Sequence, residues 1–279
     1  MKSKESRERL FLFSGRFSRL VCAWDVTRSI AFGYRFEIGR GCGVIDTVFF
    51  DVGQTLMHAS PSIPEMFSLV ARERGHEISV RDVEPFMPEV DAYYEHEYLR
   101  DGDFWCSHDR STAIWRDMYR ILADRTGIGE DAEEMSLAVH ERYRVASGWS
   151  LFEDVVPCLR TLKLSGYRLG VISNWDAELE SLLRGIGLLP YFDDVVASAA
   201  VGYRKPDPVV FELALERMGA EPSCCVHVGD LPEADGAAAR AGIAPVIIDR
   251  KGVSGNCGFA CIGTLNELPA VLEGFRKKL

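Results

Sequence analysis

The sequence predicts an α/β protein whose core is a doubly wound parallel sheet, with an all-helical segment inserted as a second domain. Two observations predict it. After residue 149, short apolar runs alternate with helical segments, which is typical of βαβ units in a parallel sheet. Between the first apolar run and this alternation, from 57 to 148, the signals are helical. We therefore expect a core domain at 44–56 and 149–279, a helical cap domain at 57–148, and a poorly ordered extension at 1–43.

The first predicted strand ends in a carboxylate. The stretch 44–56 reads V-I-D-T-V-F-F-D-V-G-Q-T-L, in which an apolar run stops at Asp51 and a turn signal follows at Gly53. A short apolar run bounded by a turn indicates a buried strand. Open parallel sheets place their ligands at the carboxyl ends of their strands. Taken alone, Asp51 fits a turn residue at a strand end equally well, so the other strand ends decide its role.

The inserted segment contains helix signals and many aromatic residues. Ser62-Ile63-Pro64-Glu65 is a capping box with an early proline, and it opens a helix that Gly75 closes. Further helices are predicted over 80–99, 111–126 and 131–146. The four-residue spacing of Trp115 and Tyr119 indicates packing within a helix. The same interpretation, packing rather than substrate contact, is extended to Tyr93, Tyr94, Tyr98 and Trp105.

The remaining chain supplies the other strands of the sheet. They are predicted at 167–172, 195–197, 224–228 and 245–248, the last of these being the final strand. The intervening helices are predicted at 151–165, 178–184, 208–218 and 237–241. Asp207-Pro208 gives the third of these helices an N-cap with proline at its first position, and Gly219 ends it.

Polar residues gather where the predicted strands stop. In chain order they are Asp51, Thr55, Ser173, Asn174, Lys205, Asp230 and Asp235. The carboxyl ends of parallel strands face one edge of the sheet, so three carboxylates would meet a single lysine there. Such an excess of negative charge is unfavourable without a cation, and hard oxygen ligands favour Mg²⁺, which suits phosphate substrates. Each residue alone has an ordinary structural explanation; their joint occurrence favours a site.

Composition limits the partners that we expect. The formal net charge of −10 argues against a nucleic-acid or anionic-membrane partner, because both require clustered Lys and Arg. Eight cysteines are scattered through the chain, which indicates a reducing, cytoplasmic setting. Cys257 and Cys261 lack a nearby histidine or second cysteine pair, so they are a weak candidate for a metal site. Residues 1–43 contain neither a signal peptide nor a membrane span.

Four ordered motifs resemble those of the haloacid dehalogenase superfamily of hydrolases, which has a Rossmann-like core. They are D-V-G-Q-T-L, V-I-S-N, R-K-P-D-P and H-V-G-D-L-P-E-A-D, spread over about 44–250 with the helical segment between the first two. The resemblance implies a Mg²⁺-dependent hydrolase of a small phosphorylated metabolite. It makes Asp51 a nucleophile that forms an aspartyl-phosphate, with Thr55 positioning its loop.

The same resemblance assigns roles to the other strand-end residues. Ser173 and the amide of Asn174 would bind a phosphoryl oxygen, and Lys205 would neutralise the charge on Asp51 and in the transition state. Asp230 and the carbonyl of Gly53 would join Asp51 in binding Mg²⁺. Asp235 would act on the metal through water or hold Lys205. His227, inside a strand, is interpreted as a packed core residue.

One position departs from the phosphatases of that superfamily. They carry a second Asp two residues after the nucleophile, which exchanges the proton of the leaving group, and here this position is Gly53. Losing such an acid–base group lowers the rate by about 10²–10⁴. Three accounts stay open: slow phosphate hydrolysis with a substitute such as a water, a cap residue or His58; metal-independent 2-haloacid dehalogenation; and phosphate-ligand binding with little turnover. Members that dehalogenate carry an aromatic residue at that position, so this account ranks lower.

Overall fold

The fold is known from a computed structural model, which describes residues 44–252 and 258–276. The predicted extension at 1–43, and Cys257 with it, lie outside the described residues. Within the described ranges the strands are β1 (Thr47–Phe50), β2 (Met57–Ala59), β3 (Trp149–Leu151), β4 (Arg168–Ser173), β5 (Asp194–Ala197), β6 (Cys225–Gly229), β7 (Ala244–Ile248) and β8 (Ala260–Ile262). Six of them form one parallel sheet in the order β5-β4-β1-β6-β7-β8.

Strand β1 lies in the middle of this sheet. It pairs with β4 on one side and β6 on the other, so that Phe50 is in register with Val171 and Val228. All four residues of β1 are buried, in agreement with an apolar run covered on both faces. Asp51 therefore leaves the sheet between the carboxyl ends of two neighbouring strands.

Helices cover the sheet and build the inserted segment. They are α1 (Ile63–Glu73), α2 (Val80–Val83), α3 (Met87–Arg100), α4 (His108–Arg125), α5 (Ala132–Tyr143), α6 (Val155–Leu164), α7 (Leu179–Gly185), α8 (Ser198–Val201), α9 (Pro208–Met218), α10 (Pro232–Asp235) and α11 (Leu268–Arg276). The first five follow β2 and share their own hydrophobic cluster, separate from the two clusters that line the sheet. The predicted architecture, a helical cap inserted into a parallel α/β core, is confirmed.

The signals at helix ends act as expected. At α1, the backbone N–H of Ser62 donates to the carboxylate of Glu65 across 2.8 Å, which closes the predicted capping box. At α9, Asp207 accepts from the backbone N–H of Val209, and Gly219 ends the helix with a positive φ of 54°.

Three predicted elements differ from the structure. The helix predicted over 80–99 is divided by a 3₁₀ turn at Glu84–Phe86, because Pro85 lacks the backbone N–H that a continuous helix needs. The helix predicted over 151–165 begins only at Val155, because residues 149–151 pair antiparallel with β2. The prediction that 245–248 is the final strand is wrong, since the short strand β8 pairs with β7 beyond it. Within the described ranges, no helix has the length and apolarity needed to cross a membrane.

Candidate active site

Asp51 is the centre of a buried polar cluster. Its Oδ1 accepts from the hydroxyl of Ser173 across 2.9 Å and from Nζ of Lys205 across 2.7 Å. Ser173 is the last residue of β4, beside β1, whereas Lys205 comes from the loop before α9. The three side chains are almost completely buried. The structure thus brings together residues from three of the predicted motifs.

Asn174 fixes the position of Lys205. Its side-chain nitrogen donates to the carbonyl of Lys205 across 3.0 Å, and its side-chain oxygen accepts from the backbone N–H of Lys205 across 2.8 Å. Two bonds from one amide hold the backbone in a single register. The Asn174 side chain therefore positions the lysine, a role that its sequence neighbourhood did not indicate.

Asp235 holds the other side of the lysine. Its Oδ1 accepts from Nζ of Lys205 across 2.5 Å and lies 2.8 Å from Nε2 of His227, while its Oδ2 accepts from the backbone N–H of Leu231 across 2.9 Å. A carboxylate can only accept, so Nε2 of His227 carries the proton in this contact. Of the two predicted roles of Asp235, these bonds favour holding Lys205 over binding a metal.

His227 is both a core residue, as predicted, and a partner of the site, which the sequence interpretation missed. It is fully buried, and its ring packs edge-on against Phe211 at 5.3 Å. A signal was present: His227 and Gly229 alternate on one face of β6, and Asp235 lies against that face. A Cβ on Gly229 would lie 2.1 Å from Cγ of Asp235, so a glycine is required there.

The charges of the site are unequal. Burial would lower the pKa of Lys205, but Asp235 and Asp51 outweigh burial and raise it, so the ammonium is charged. Burial alone would raise the pKa of Asp235, but Lys205 and His227 hold it well below its usual range. Burial raises the pKa of Asp51 despite Lys205. Burial, and then the charges of Asp51 and Asp235, raise the pKa of Asp230 well above its usual range.

The mutual repulsion of Asp51 and Asp230 marks the place where a cation would fit. Within the described ranges, no three His, Cys, Asp or Glu side chains are grouped so as to hold a metal by themselves. Mg²⁺ commonly takes only one or two carboxylates and completes its shell with waters and substrate oxygens. Two crowded carboxylates beside the backbone of Gly53 are therefore a donor set that suits Mg²⁺.

Arg250 secures the loop that follows Asp51. Its Nη2 donates to the carbonyl of Thr55 across 2.7 Å, and its guanidinium also donates to both carboxylate oxygens of Asp154 at 3.0 Å. The guanidinium lies 3.8 Å from the centre of the Phe152 ring. Thr55 is buried, but its hydroxyl has no hydrogen-bond partner in the described part of the chain. The loop is thus held through the backbone carbonyl of Thr55.

The place beside the nucleophile loop is covered by an aromatic ring. A Cβ on Gly53 would lie 3.5 Å from the ring of Trp175, an ordinary contact, and Gly53 does not have a positive φ. The next residue, Gln54, has a φ of 55°. His58, considered as a substitute proton carrier, packs its ring against Phe152 at 4.9 Å.

Comparison with known proteins agrees with the four motifs. A family model described as haloacid dehalogenase-like hydrolase matches residues 45–242. The chain belongs to the haloacid dehalogenase-like hydrolases. It is 30% identical over 233 residues to haloacid dehalogenase-like hydrolase domain-containing protein 3 of Danio rerio, covering 81% of this chain and 96% of that protein.

Two further relatives represent different activities within this family. Glyceraldehyde 3-phosphate phosphatase of Methanothermobacter thermautotrophicus is 41% identical over 194 residues, which cover 67% of this chain and 77% of that protein. The crystal structure of a 2-haloacid dehalogenase from Pseudomonas syringae matches with a TM-score of 0.58 and 25% identity, over 83% of this chain and 100% of that one. The chain is thus a hydrolase of a family that includes phosphatases and dehalogenases.

Proposed function

We propose that this haloacid dehalogenase-like hydrolase is a Mg²⁺-dependent phosphatase that cleaves small organic phosphomonoesters through an aspartyl-phosphate on Asp51. The observation that carries the proposal is the convergence of Ser173 and Lys205 on Oδ1 of Asp51. Among the described contacts this leaves Oδ2 as the oxygen that attacks phosphorus. The similarity to glyceraldehyde 3-phosphate phosphatase supports phosphate ester chemistry rather than another hydrolytic reaction.

The reaction proceeds in two displacements. In the first, Oδ2 of Asp51 forms a bond to phosphorus while the bond from phosphorus to the leaving oxygen breaks, and its electron pair departs with that oxygen. In the second, water attacks phosphorus, loses a proton, and releases inorganic phosphate and the free carboxylate. Lys205 stabilises the negative charge of the phosphoryl oxygens in both steps, and the Ser173 hydroxyl orients the group.

The metal would be held by Asp51, Asp230 and the carbonyl of Gly53. When bound, Mg²⁺ supplies charge stabilisation to the phosphoryl oxygens and offsets the repulsion between the two carboxylates. Asp235, whose oxygens are taken by Lys205, His227 and Leu231, contributes by keeping the lysine in place. We further infer a small phosphorylated metabolite as substrate and a cytoplasmic setting, with no nucleic-acid or membrane partner.

A second candidate is 2-haloacid dehalogenation, favoured by one observation. The ring of Trp175 lies against Gly53, where dehalogenases of the family carry an aromatic residue. In this reaction Asp51 attacks carbon, and the halide leaves with its bonding electrons and without needing a proton. It ranks second, because Asp51 and Asp230 would then face each other without a cation.

Product release with and without Mg²⁺ distinguishes the candidates. We expect inorganic phosphate from phosphomonoesters only when Mg²⁺ is present, and no halide from 2-haloacids. Asp51→Asn should lower phosphate release by at least about 10³-fold, since the nucleophile is lost. Asp46→Asn, on the same segment before β1, is the matched control and should retain full activity. Halide release would instead select the dehalogenase, and binding of inorganic phosphate without any turnover would reduce the protein to a phosphate binder.

A further inference from the structure

Trp175 directly follows the phosphate-binding residues Ser173 and Asn174, and its backbone is fixed. Its N–H donates to the hydroxyl of Ser198 across 3.1 Å, and its carbonyl accepts from the same hydroxyl at 3.2 Å and from the N–H of Ala199 at 3.1 Å. Ser198 is itself fully buried. The indole of Trp175 is therefore carried on a backbone with little freedom to move.

Two other tryptophans lie against this ring. The centres of the Trp149 and Trp105 rings are 5.0 and 6.3 Å from that of Trp175. Their polar ends are engaged elsewhere: Nε1 of Trp149 donates to the carbonyl of Tyr143 across 2.8 Å, and Nε1 of Trp105 to the hydroxyl of Tyr94 across 3.0 Å. We call Trp105, Trp149 and Trp175 the tryptophan wall. Trp105 belongs to the cap and Trp175 to the core, so the wall spans the junction above Gly53.

The wall differs from the aromatic packing inside the cap. Trp115 and Tyr119 stack on each other at 6.2 Å within α4, as their spacing predicted. Trp175, by contrast, is only partly buried, although it adjoins the buried Asp51 loop and lies in contact distance of position 53. A rigid aromatic surface that remains partly exposed beside a nucleophile is a typical lining for a ligand.

Position 53 gives an independent indication about the leaving group. Because Gly53 cannot donate a proton, the oxygen that leaves phosphorus must depart as an anion. An aryloxide is a far weaker base than an alkoxide and departs without such help. Resting on the phosphatase function proposed above, we propose that the substrate is an aryl or heteroaryl phosphate whose ring lies against Trp175. The bond from phosphorus to the aryl oxygen breaks, the aryloxide keeps the electron pair, and it then takes a proton from water.

A pair of substrates with matched leaving groups separates aromatic recognition from acidity. Phenyl phosphate and hexafluoroisopropyl phosphate release alcohols of similar acidity, but only the first is aromatic. With Mg²⁺ present, we expect kcat/KM to favour phenyl phosphate by about 10-fold, the range of one good aromatic contact. Trp175→Leu should reduce this preference to about 2-fold or less, mainly through kcat/KM for phenyl phosphate. Trp115→Leu, in the cap interior, should retain it.

Inhibition of the unaltered protein gives a measurement that needs no variant. Phenylphosphonate, which cannot be hydrolysed, should inhibit about 10-fold more tightly than methylphosphonate. Equal hydrolysis of the matched esters, equal inhibition by the two phosphonates, or a preference unchanged in Trp175→Leu would overturn the aryl assignment while leaving a phosphatase. Absence of phosphate release from every ester would overturn the phosphatase and the aryl assignment together.

Discussion

Nζ of Lys205 donates to Oδ1 of Asp51 across 2.7 Å, although 154 positions separate the two residues in the sequence. The same ammonium donates to Oδ1 of Asp235, so one cation is shared by two buried carboxylates. Around this pair, Asn174 fixes the lysine backbone and His227 fixes Asp235. The lysine is thus held at both ends, which keeps its charge directed at the nucleophile.

Gly229→Ala should inactivate the protein by displacing Asp235. The added Cβ would lie 2.1 Å from Cγ of that carboxylate, which packs tightly on the strand and cannot stay in place. We expect phosphate release to fall at least about 10²-fold, the loss of a positioned charge, and the free energy of unfolding to fall by about 1–3 kcal/mol. Chemical denaturation and a phosphate assay check both values.

Gly53→Ala is the matched glycine control for that substitution. Its Cβ would meet only the Trp175 ring at 3.5 Å, so the free energy of unfolding should change by less than about 1 kcal/mol. Equal destabilisation by the two substitutions would contradict the contact between Gly229 and Asp235.

His227→Leu should lower kcat with little change in KM. The substitution removes the 2.8 Å contact to Asp235 from a fully buried site, so the carboxylate loses one of the groups that orient it towards Lys205. We expect a loss of about 10-fold in kcat and about 1–3 kcal/mol in the free energy of unfolding. Steady-state kinetics and denaturation measure these effects, and His227→Gln, which keeps an N–H donor, should recover part of kcat.

Phe211→Leu separates packing from positioning in the same place. It removes the ring that lies 5.3 Å from His227 but leaves the histidine contact to Asp235. Stability should fall while kcat is retained. A fall in kcat as large as that of His227→Leu would mean that packing alone explains the histidine.

The fold could be predicted because it depends on patterns that are local in the sequence. Apolar runs ending in polar residues gave the strands of the sheet, and the capping box at Ser62 gave the start of α1. Strand β8 was missed because three residues, Ala260–Ile262, are too few for a pattern, and only pairing with β7 makes them a strand.

The site was predictable only where a residue belongs to a motif. Asp51 and Lys205 follow or precede strong local signals, so their meeting could be expected from the topology. Arg250, in contrast, reaches the carbonyl of Thr55 across 195 positions, and Trp175 covers Gly53 from a different strand. Such contacts are set by how the cap and core pack, which no local pattern encodes.

His140→Gln should make the protein less sensitive to acid. His140 in α5 is buried, and burial lowers its pKa from 6.5 to about 4, with Arg144 and Arg116 acting in the same direction. Between these two values the unfolded chain binds a proton that the folded chain does not, so stability is complete above pH 6.5 and falls as the pH falls towards 4.

At pH 5 the stability lost through this histidine should be about 2 kcal/mol, measured as the free energy of unfolding relative to pH 7.5. His140→Gln should remove that part of the pH dependence. His96→Gln, at an exposed side chain, is the control and should leave the pH dependence as it is in the unaltered protein. Identical pH profiles for His140→Gln and the unaltered protein would exclude His140 as the source.

Gly53→Asp should increase turnover of alkyl phosphates, because it restores a proton donor where the family's phosphatases have one. The backbone permits the change, since Gly53 does not have a positive φ and its Cβ would touch only the edge of Trp175 at 3.5 Å. We expect kcat to rise by about 10²-fold for alkyl esters and much less for aryl esters, whose leaving groups need little protonation. The slope of log kcat against leaving-group acidity should therefore become shallower.

Gly53→Asn is the decisive comparison, since it matches the aspartate in size and polarity but cannot transfer a proton. If Asn raised turnover as much as Asp, the gain would come from filling the space beside Trp175 rather than from acid–base chemistry. If neither substitution raised turnover, the site would already contain another proton donor, and the leaving group would not need to depart as an anion. A gain confined to Asp and to alkyl esters ties the low intrinsic rate to the missing carboxylate at position 53.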